Sequence, residues 1–266
     1  IEGGSAYYVH DHVSAAKKAA FIHVDYVQAG YTRRLDKDCY VDFDRIFAVS
    51  DETAGVFAGV YPECQQKLSV FHNLIDTEAI RQKALLPAEK SMHEGIRLLT
   101  VGRLTPQKGF DCAVYALKLL LEKQYPVYWY IIGEGPEYGR LTQLARSLHV
   151  EDHFISLGMQ TNPYPYFKMA DFYIHATRFE GKSIAIQEAQ VLGCAIAASD
   201  CSGNREQIVS GVDGLLCPFS PEGIANAVEY LIEHPQTTQS FGRAAAQKAC
   251  HFENDIHMIR DLLYSP

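Results

Sequence analysis

The sequence predicts a doubly wound α/β protein: a C-terminal domain built on a parallel sheet, preceded by a partial Rossmann-like N-terminal domain. Three observations predict it. Short runs at 96–103, 127–135, 153–158, 170–176 and 194–199 are apolar almost throughout. Segments with apolar residues at helical spacing follow most of them, and several runs end in glycine or a polar loop. Strands without alternation belong to a parallel sheet covered on both faces, and ligands of such sheets bind at the C-terminal strand ends.

In chain order, FIHVDY (21–26) ends a first apolar run. RIFAVS (45–50) reads as a strand with a helix over 51–59, and KLSVFHN (67–73) as a strand with a helix near 77–84. LLPAEKSMHEG (85–95) has proline and charge but no periodicity, and reads as a linker. IRLLTVGR (96–103) leads into the helix GFDCAVYALKLLLEK (109–123), and VYWYIIGEG (127–135) into a helix over 136–147. HFISLG, ADFYIHA and CAIAAS complete the strands, with helices around 183–193 and 203–209. Helices over 221–233, 237–250 and 253–263 close the chain. The organisation expected is a partial domain over 1–84, a linker over 85–95 and a ligand-binding domain over 96–251. A C-terminal helix over 252–266 is expected to pack back on the first domain.

A composition of 47% hydrophobic and 21% charged residues is that of an ordinary globular protein with a sizeable core. The net charge of -8 argues against a nucleic-acid partner, which needs an excess of basic residues on one surface. The seven cysteines are scattered, with no pair at zinc-knuckle or redox spacing, and read as reduced thiols. No metal site is expected: His10 and His12 have no third ligand at suitable spacing, and read as a surface loop. No run of eighteen apolar residues occurs, which leaves peripheral membrane contact open.

Three loops carry candidate chemistry. GEGPEYG (133–139) places Gly133, Gly135 and Gly139 after a strand, where backbone amides could approach a phosphate. Its G-x-G-x-x-x-G spacing and Pro136 make it a tight turn near a ligand and not a dinucleotide fingerprint. VGRLTPQKGF (101–110) sets Arg103 and Lys108 on one strand-to-helix loop, which suits a diphosphate. An ordinary solvated loop is the competing reading. RFEGKSIAIQEA (178–189) makes Ser183 an N-cap, so Ile184, Glu188 and Leu192 share one face of an apolar helix. A buried carboxylate needs a cation or hydrogen-bond donors. Arg178, Lys182 or Arg205 could supply a salt bridge, and vicinal ribose hydroxyls could satisfy both oxygens. Glu180 lies in the preceding loop. His23, at a strand end, reads on its own as structural. Ser50 has no nucleophile-elbow setting, and Tyr164, Tyr166 and Phe167 read as packing around a short helix.

Taken in this order, the segments resemble the retaining glycosyltransferases of the GT-B fold, family-4 type. The matching segments are VGRL…KG (101–109), IIGEGPEYGRL (131–141), FISLG (154–158), NPYPYFKMADFYI (162–174) and FEGKSIAIQEA with its two glutamates. HNLID (72–76) is similar to the family's N-G-x-D segment, with Leu in place of Gly. The variant EGKSIAIQEA is similar to bacterial enzymes that build surface glycans.

The resemblance implies two Rossmann-like domains with a nucleotide-sugar in the cleft, UDP as the carrier, and neither metal nor cofactor. Arg103 and Lys108 would hold the diphosphate, Glu188 the ribose and Glu180 the donor sugar. Amides of Ser183 and Ile184 would assist, Met159 and Gln160 would border the base, and Gly135 and Lys182 would complete the donor site. His23 would face the donor sugar, so His23, Glu180, Arg103 and Lys108 form the implied catalytic set. The acceptor would be a glycan, a lipid-linked glycan or a protein, and the location cytoplasmic, peripheral at the inner membrane face. The family carries further βα units before the histidine, whereas only residues 1–22 precede His23 here. Upstream sequence is therefore expected to be missing, or the protein to be a natural fragment. A non-catalytic sugar-nucleotide-binding module acting with a partner chain is the alternative. A sugar-nucleotide epimerase is a third reading, disfavoured by the glutamate pair.

Overall fold

Two all-parallel sheets organise the chain, whose computed structural model describes residues 4–249 and 255–264. By internal contacts the chain divides into two units. Unit 1 comprises 4–74, 179–182 and 255–264 of the described residues, and unit 2 comprises 75–178 and 183–249.

In unit 1, helix α1 (Gly4–His12) precedes strand β1 (Ala19–Ile22), short helix α2 (Arg33–Asp36), β2 (Arg45–Ala48), α3 (Asp51–Val60) and β3 (Leu68–Val70). The sheet order is β1-β2-β3. Ser50, far from any nucleophile elbow, is the buried N-cap of α3, its hydroxyl accepting from Thr53 N at 3.2 Å. Tyr26, Tyr40, Phe57 and Tyr61 form the aromatic core beside the sheet, with Phe57 and Tyr61 stacked at 5.0 Å. His10, read as a surface-loop residue, lies on α1 and bonds Asp11 and Asp42. Helix α12 (Ile256–Tyr264) also belongs here, with Lys17 Nζ donating to Leu262 O at 3.0 Å. The first residues of the helix expected over 253–263 lie outside the described residues, as does Cys250.

Unit 2 opens with α4 (Thr77–Lys83), capped by Asp76 of the HNLID segment, whose carboxylate accepts from Ala79 N at 2.9 Å. Strands β4 (Ile96–Val101), β5 (Val127–Ile132) and β6 (Phe154–Gly158) alternate with α5 (Phe110–Glu122) and α6 (Tyr138–Ser147). Helix α7 (Tyr164–Met169), β7 (Phe172–His175), α8 (Ile184–Val191), β8 (Ala195–Ser199), α9 (Ser202–Arg205) and β9 (Leu215–Cys217) follow. Helices α10 (Pro221–Glu233) and α11 (Pro235–Ala249) complete the unit. The sheet order is β6-β5-β4-β7-β8-β9, the doubly wound pattern: successive strands are added to one side of β4 as far as β6 and to its other side from β7 onward, so the switch point lies between β4 and β7. Every residue of β5 except its second, Tyr128, is buried, as the continuous run VYWYII requires. Trp129 Nε1 donates to Thr100 Oγ1 at 2.9 Å, and Thr100 Oγ1 to Ile174 O at 2.7 Å, so β5, β4 and β7 are tied inside the core.

Three expectations about organisation are corrected. Helix α4 packs on α7 and α8, so the first boundary falls after residue 74 and not at 84. The segment 85–95 is no free linker: Lys90 N donates to Tyr166 Oη at 3.0 Å and His93 N to Tyr130 Oη at 2.6 Å. Ala88 and Met92 pack into the core cluster of unit 2, which explains why a stretch without periodicity is still ordered. The four residues 179–182 leave the C-terminal unit and belong to unit 1. Helix α9 is also only four residues long, where 203–209 was expected helical. The six described cysteines are free thiols, and burial pushes Cys112, Cys194 and Cys217 up to about 12.

Candidate functional site

The switch point between β4 and β7 places the loop 102–109 and residues 176–178 side by side at the C-terminal strand ends of unit 2. Their backbones are laced together. Arg178 N donates to Gln107 O at 2.8 Å and Thr177 Oγ1 to the same oxygen at 3.1 Å. Gly109 sits at φ +63, and a Cβ there would overlap Ala176 O, so glycine is required for the approach. Arg178 forks onto Asp111 at 2.8 and 3.1 Å, bonds Pro106 O, and lies over the Phe219 ring. Burial works to raise the Asp111 carboxyl, but the Arg178 hydrogen bonds and charge outweigh it and hold it below its ordinary range. Arg178 is thus a staple, while Arg103 is exposed and the Lys108 side chain runs along Gly102.

The glycine turn 133–135 also serves backbone approach. A Cβ on Gly133 would overlap Gly102 O, and one on Gly135 would overlap Leu104 O. Leu104 N donates to Glu134 O at 2.8 Å and Glu137 N to Leu104 O at 3.0 Å, locking this turn onto the Arg103 loop. Gly135 therefore positions loops. A cavity of 530 Å³ opens at these strand ends, lined by Lys90, Glu134, Gly135, Tyr138, Ser156 and Gly158. Following Gly158, Met159 is 70% exposed and the Gln160 side chain donates to Leu157 O at 2.8 Å. A larger cavity of 630 Å³ lies at the opposite strand ends, bordered by Ile96, Phe172 and Ala195, away from the loops that carry the candidate residues.

Ser183 caps α8, its Oγ accepting from Ile186 N at 3.4 Å. The Ser183 amide expected to assist a phosphate is already engaged: it donates to Gln207 Oε1 at 2.7 Å, and Gln207 Nε2 donates back to Ser183 O at 2.9 Å. The helix face is also corrected. Ile184 is 51% exposed, and the buried stripe of α8 is Ile186, Gln187, Ala189, Gln190 and Val191. Glu188 is nonetheless partly buried, and none of the suggested cations meets it. Arg178 pairs with Asp111 and Arg205 with Asp200. Its partner is Tyr164, whose hydroxyl donates to Glu188 Oε1 at 2.9 Å. Burial raises the Glu188 carboxyl above its ordinary value, with Tyr164 pulling the other way, and burial with the neighbouring carboxylate pushes Tyr164 up to about 12. Among the described residues Glu188 forms no ion pair.

Unit 1 gathers the other candidates. A Cβ on Gly181 would overlap His23 O, so the Glu180–Gly181 backbone lies against the end of β1. Glu180 is buried and His23 exposed, its ring stacked on Phe21 at 5.8 Å. Asn73 Nδ2 donates to Lys182 O at 3.2 Å, which gives the HNLID segment a second structural task. Tyr164 and Gln207 are the functional neighbours that sequence reasoning missed. Tyr164 sits in a segment that reads as aromatic packing, and nothing in the spacing pairs it with Glu188. No helix of the described residues is long and apolar enough to cross a membrane.

A family model described as "Glycosyl transferases group 1" matches residues 81–248. Among curated proteins, an N-acetylgalactosaminyltransferase of Campylobacter jejuni that acts on a diphospho-undecaprenol-linked sugar is 30% identical over 200 residues, covering 74% of this chain and 53% of its own. The glycogen synthase of Mycobacterium tuberculosis is 28% identical over 208 residues, covering 76% and 47%. The chain spans about half the length of the curated relatives it matches. Among solved structures, Anabaena HepE in complex with UDP and glucose aligns with a TM-score of 0.79 at 19% identity, over 94% of this chain and 72% of that one. Sucrose-phosphate synthase of Thermosynechococcus elongatus aligns with a TM-score of 0.80 at 16% identity, over 99% and 71%. These likenesses show the α/β fold with parallel sheets that GT-B glycosyltransferases share.

Proposed function

The chain belongs to the group 1 glycosyl transferases, and from that premise we propose that it moves a sugar from a nucleotide-sugar, a UDP-sugar first, to an acceptor hydroxyl with retention of anomeric configuration. The observation that carries the reading is Glu188: a half-buried carboxylate on the helix that follows β7, held by one hydroxyl and, among the described residues, by no cation. Such a group needs further donors, and the vicinal hydroxyls of a ribose supply two. Arg103 and Lys108, on the loop across the switch point, take the diphosphate. The work on C-terminal strand ends is thereby divided between carboxylate and cations within one unit.

In the transfer step the anomeric C–O bond breaks and its electron pair leaves with the diphosphate, whose growing charge Arg103 and Lys108 stabilise without a metal. The acceptor oxygen bonds the anomeric carbon on the same face, and its proton passes to a departing diphosphate oxygen. His23 and Glu180 are assigned to hydroxyls of the donor sugar, Glu180 as a positioning carboxylate and not a nucleophile. With Ser183 N taken by Gln207, the amides at Ile184 and Ala185 are the donors left to the start of α8. The class of acceptor that fits is a glycan, lipid-linked or protein hydroxyl, in surface-polysaccharide or glycoconjugate synthesis of the family-4 type at the cytoplasmic membrane face.

Calorimetry with UDP-sugars tests the assignment. Glu188→Ala and Lys108→Ala are each expected to weaken binding about tenfold or more, the loss of a charge-assisted contact. Unchanged affinity in both variants would sink it. A second reading, a binding module that serves a partner chain, predicts the same affinities with no turnover when acceptor is supplied.

A further inference from the structure

The 530 Å³ cavity at the ends of β5 and β6 contains polar side chains to which the transfer chemistry gives no task. Lys90, Glu134, Tyr138 and Ser156 line it, and among the described residues none of these side chains has a hydrogen bond or ion pair with protein. Lys90 reaches the cavity from the segment 85–95, and its backbone is held in place. Its amide bonds Tyr166, and three residues on, His93 bonds Tyr130 and stacks on Tyr128 at 4.6 Å. The backbone ordering that a flexible linker would lose on binding is therefore already complete before a ligand arrives.

We propose that Lys90 and Glu134 read the base of the nucleotide-sugar, with Lys90 donating to a ring carbonyl oxygen and Glu134 accepting from the neighbouring ring N–H. Uracil and guanine share this lactam edge. Adenine presents the reverse, an amino donor beside a ring nitrogen lone pair, and would set donor against donor and acceptor against acceptor. Rejection by unpaired polar groups discriminates more sharply than added attraction does. The inference rests on the reading of unit 2 as the nucleotide-sugar-binding unit.

Calorimetric titration of the 266-residue chain with UDP, GDP and ADP tests it, in wild type, Lys90→Met, Glu134→Gln and Lys108→Ala. Wild type is expected to bind UDP or GDP at least about tenfold more tightly than ADP, and the two arms identify which lactam base is preferred. Lys90→Met and Glu134→Gln should each lose about tenfold for the preferred nucleotide while ADP stays within about twofold. Lys108→Ala, on the phosphate loop, should weaken all three alike. ADP binding in wild type as tight as the better of UDP and GDP, or a Lys90→Met effect that is absent or uniform across the bases, overturns the inference and leaves the donor assignment standing. Failure of every nucleotide to bind wild type overturns the donor assignment, and the inference with it.

Discussion

Removing one oxygen, in Tyr164→Phe, isolates the bond that holds Glu188. The hydroxyl donates at 2.9 Å to a carboxylate that burial keeps above its ordinary pKa of 4.5. When Glu188 is ionised the bond is charge-assisted and contributes about 1.5–3 kcal/mol, and when Glu188 is protonated it contributes about 0.5–1.5 kcal/mol. The cost of Tyr164→Phe should therefore be larger at pH 8 than at pH 4, by about 1 kcal/mol. Because the folded-state pKa is raised, the folded chain binds more protons than the unfolded one between 4.5 and the folded value. Glu188 thus favours the fold fully below 4.5, and that contribution is lost as pH rises through its folded pKa. The single tryptophan, Trp129, lies in the core of unit 2 and reports this unit's urea unfolding by fluorescence. With a urea slope of about 2 kcal/mol per molar, the midpoint should drop about 1 M at pH 8 and about half that at pH 4. Glu188→Gln, which removes the charge and keeps the shape, should flatten the pH dependence. Equal midpoint shifts for Tyr164→Phe at the two pH values would refute the reasoning.

Three further outcomes are expected. Gly133→Ala should destabilise unit 2 by more than about 2 kcal/mol, because φ is +143 and the new Cβ would overlap Gly102 O, whereas Gly211→Ala, at φ +82 in open space, should cost about 1 kcal/mol. The two urea midpoints compare them, and similar losses would remove the case for backbone contact. Nucleotide-sugar binding just above pH 4.5, where the raised pKa keeps Glu188 protonated in the free fold, should release protons, since ribose hydroxyls favour the ionised carboxylate and lower that pKa. Calorimetry in buffers of different ionisation enthalpy measures this, and Glu188→Gln should abolish it. Gly181→Ala should displace the segment that lies on His23 O, lowering turnover by about tenfold or more with nucleotide affinity kept.

The core strands of unit 2 were legible because each is apolar on both faces, and the helices because their periodicity is strong. Strand β1 was only half visible: it is four residues long, and its Phe21 side chain is exposed. Strand β9, with three residues, gave no signal above the surrounding loop. The helix α8 misled for a definite reason. Its buried stripe includes Gln187 and Gln190, with Gln190 satisfied by Gln207 O at 2.7 Å, while Ile184 faces outward at the exposed helix start. Hydrophobicity therefore pointed to the wrong face. Glu188 still stood out correctly as a carboxylate in need of a donor, but the donor is a tyrosine on another helix, and no local pattern encodes such a pairing.

The same helix bears on the spacing of Glu180 and Glu188. Sequence proximity suggests one grip on one ligand, yet the two residues are positioned by different units. Glu188 is set by α8 and Tyr164 in unit 2, whereas Glu180 lies on a four-residue segment assigned to unit 1, against the backbone of His23. Separate supports predict separable effects. Glu188→Gln should change nucleotide affinity and the Trp129 unfolding transition together, because both depend on one buried carboxylate. Glu180→Gln should leave that transition within about 0.5 kcal/mol and lower turnover. Double substitution should then be additive in the unfolding free energy to within about 0.5 kcal/mol. Coupling larger than that would mean the two carboxylates act as one element, and the division between the units would lose its functional meaning.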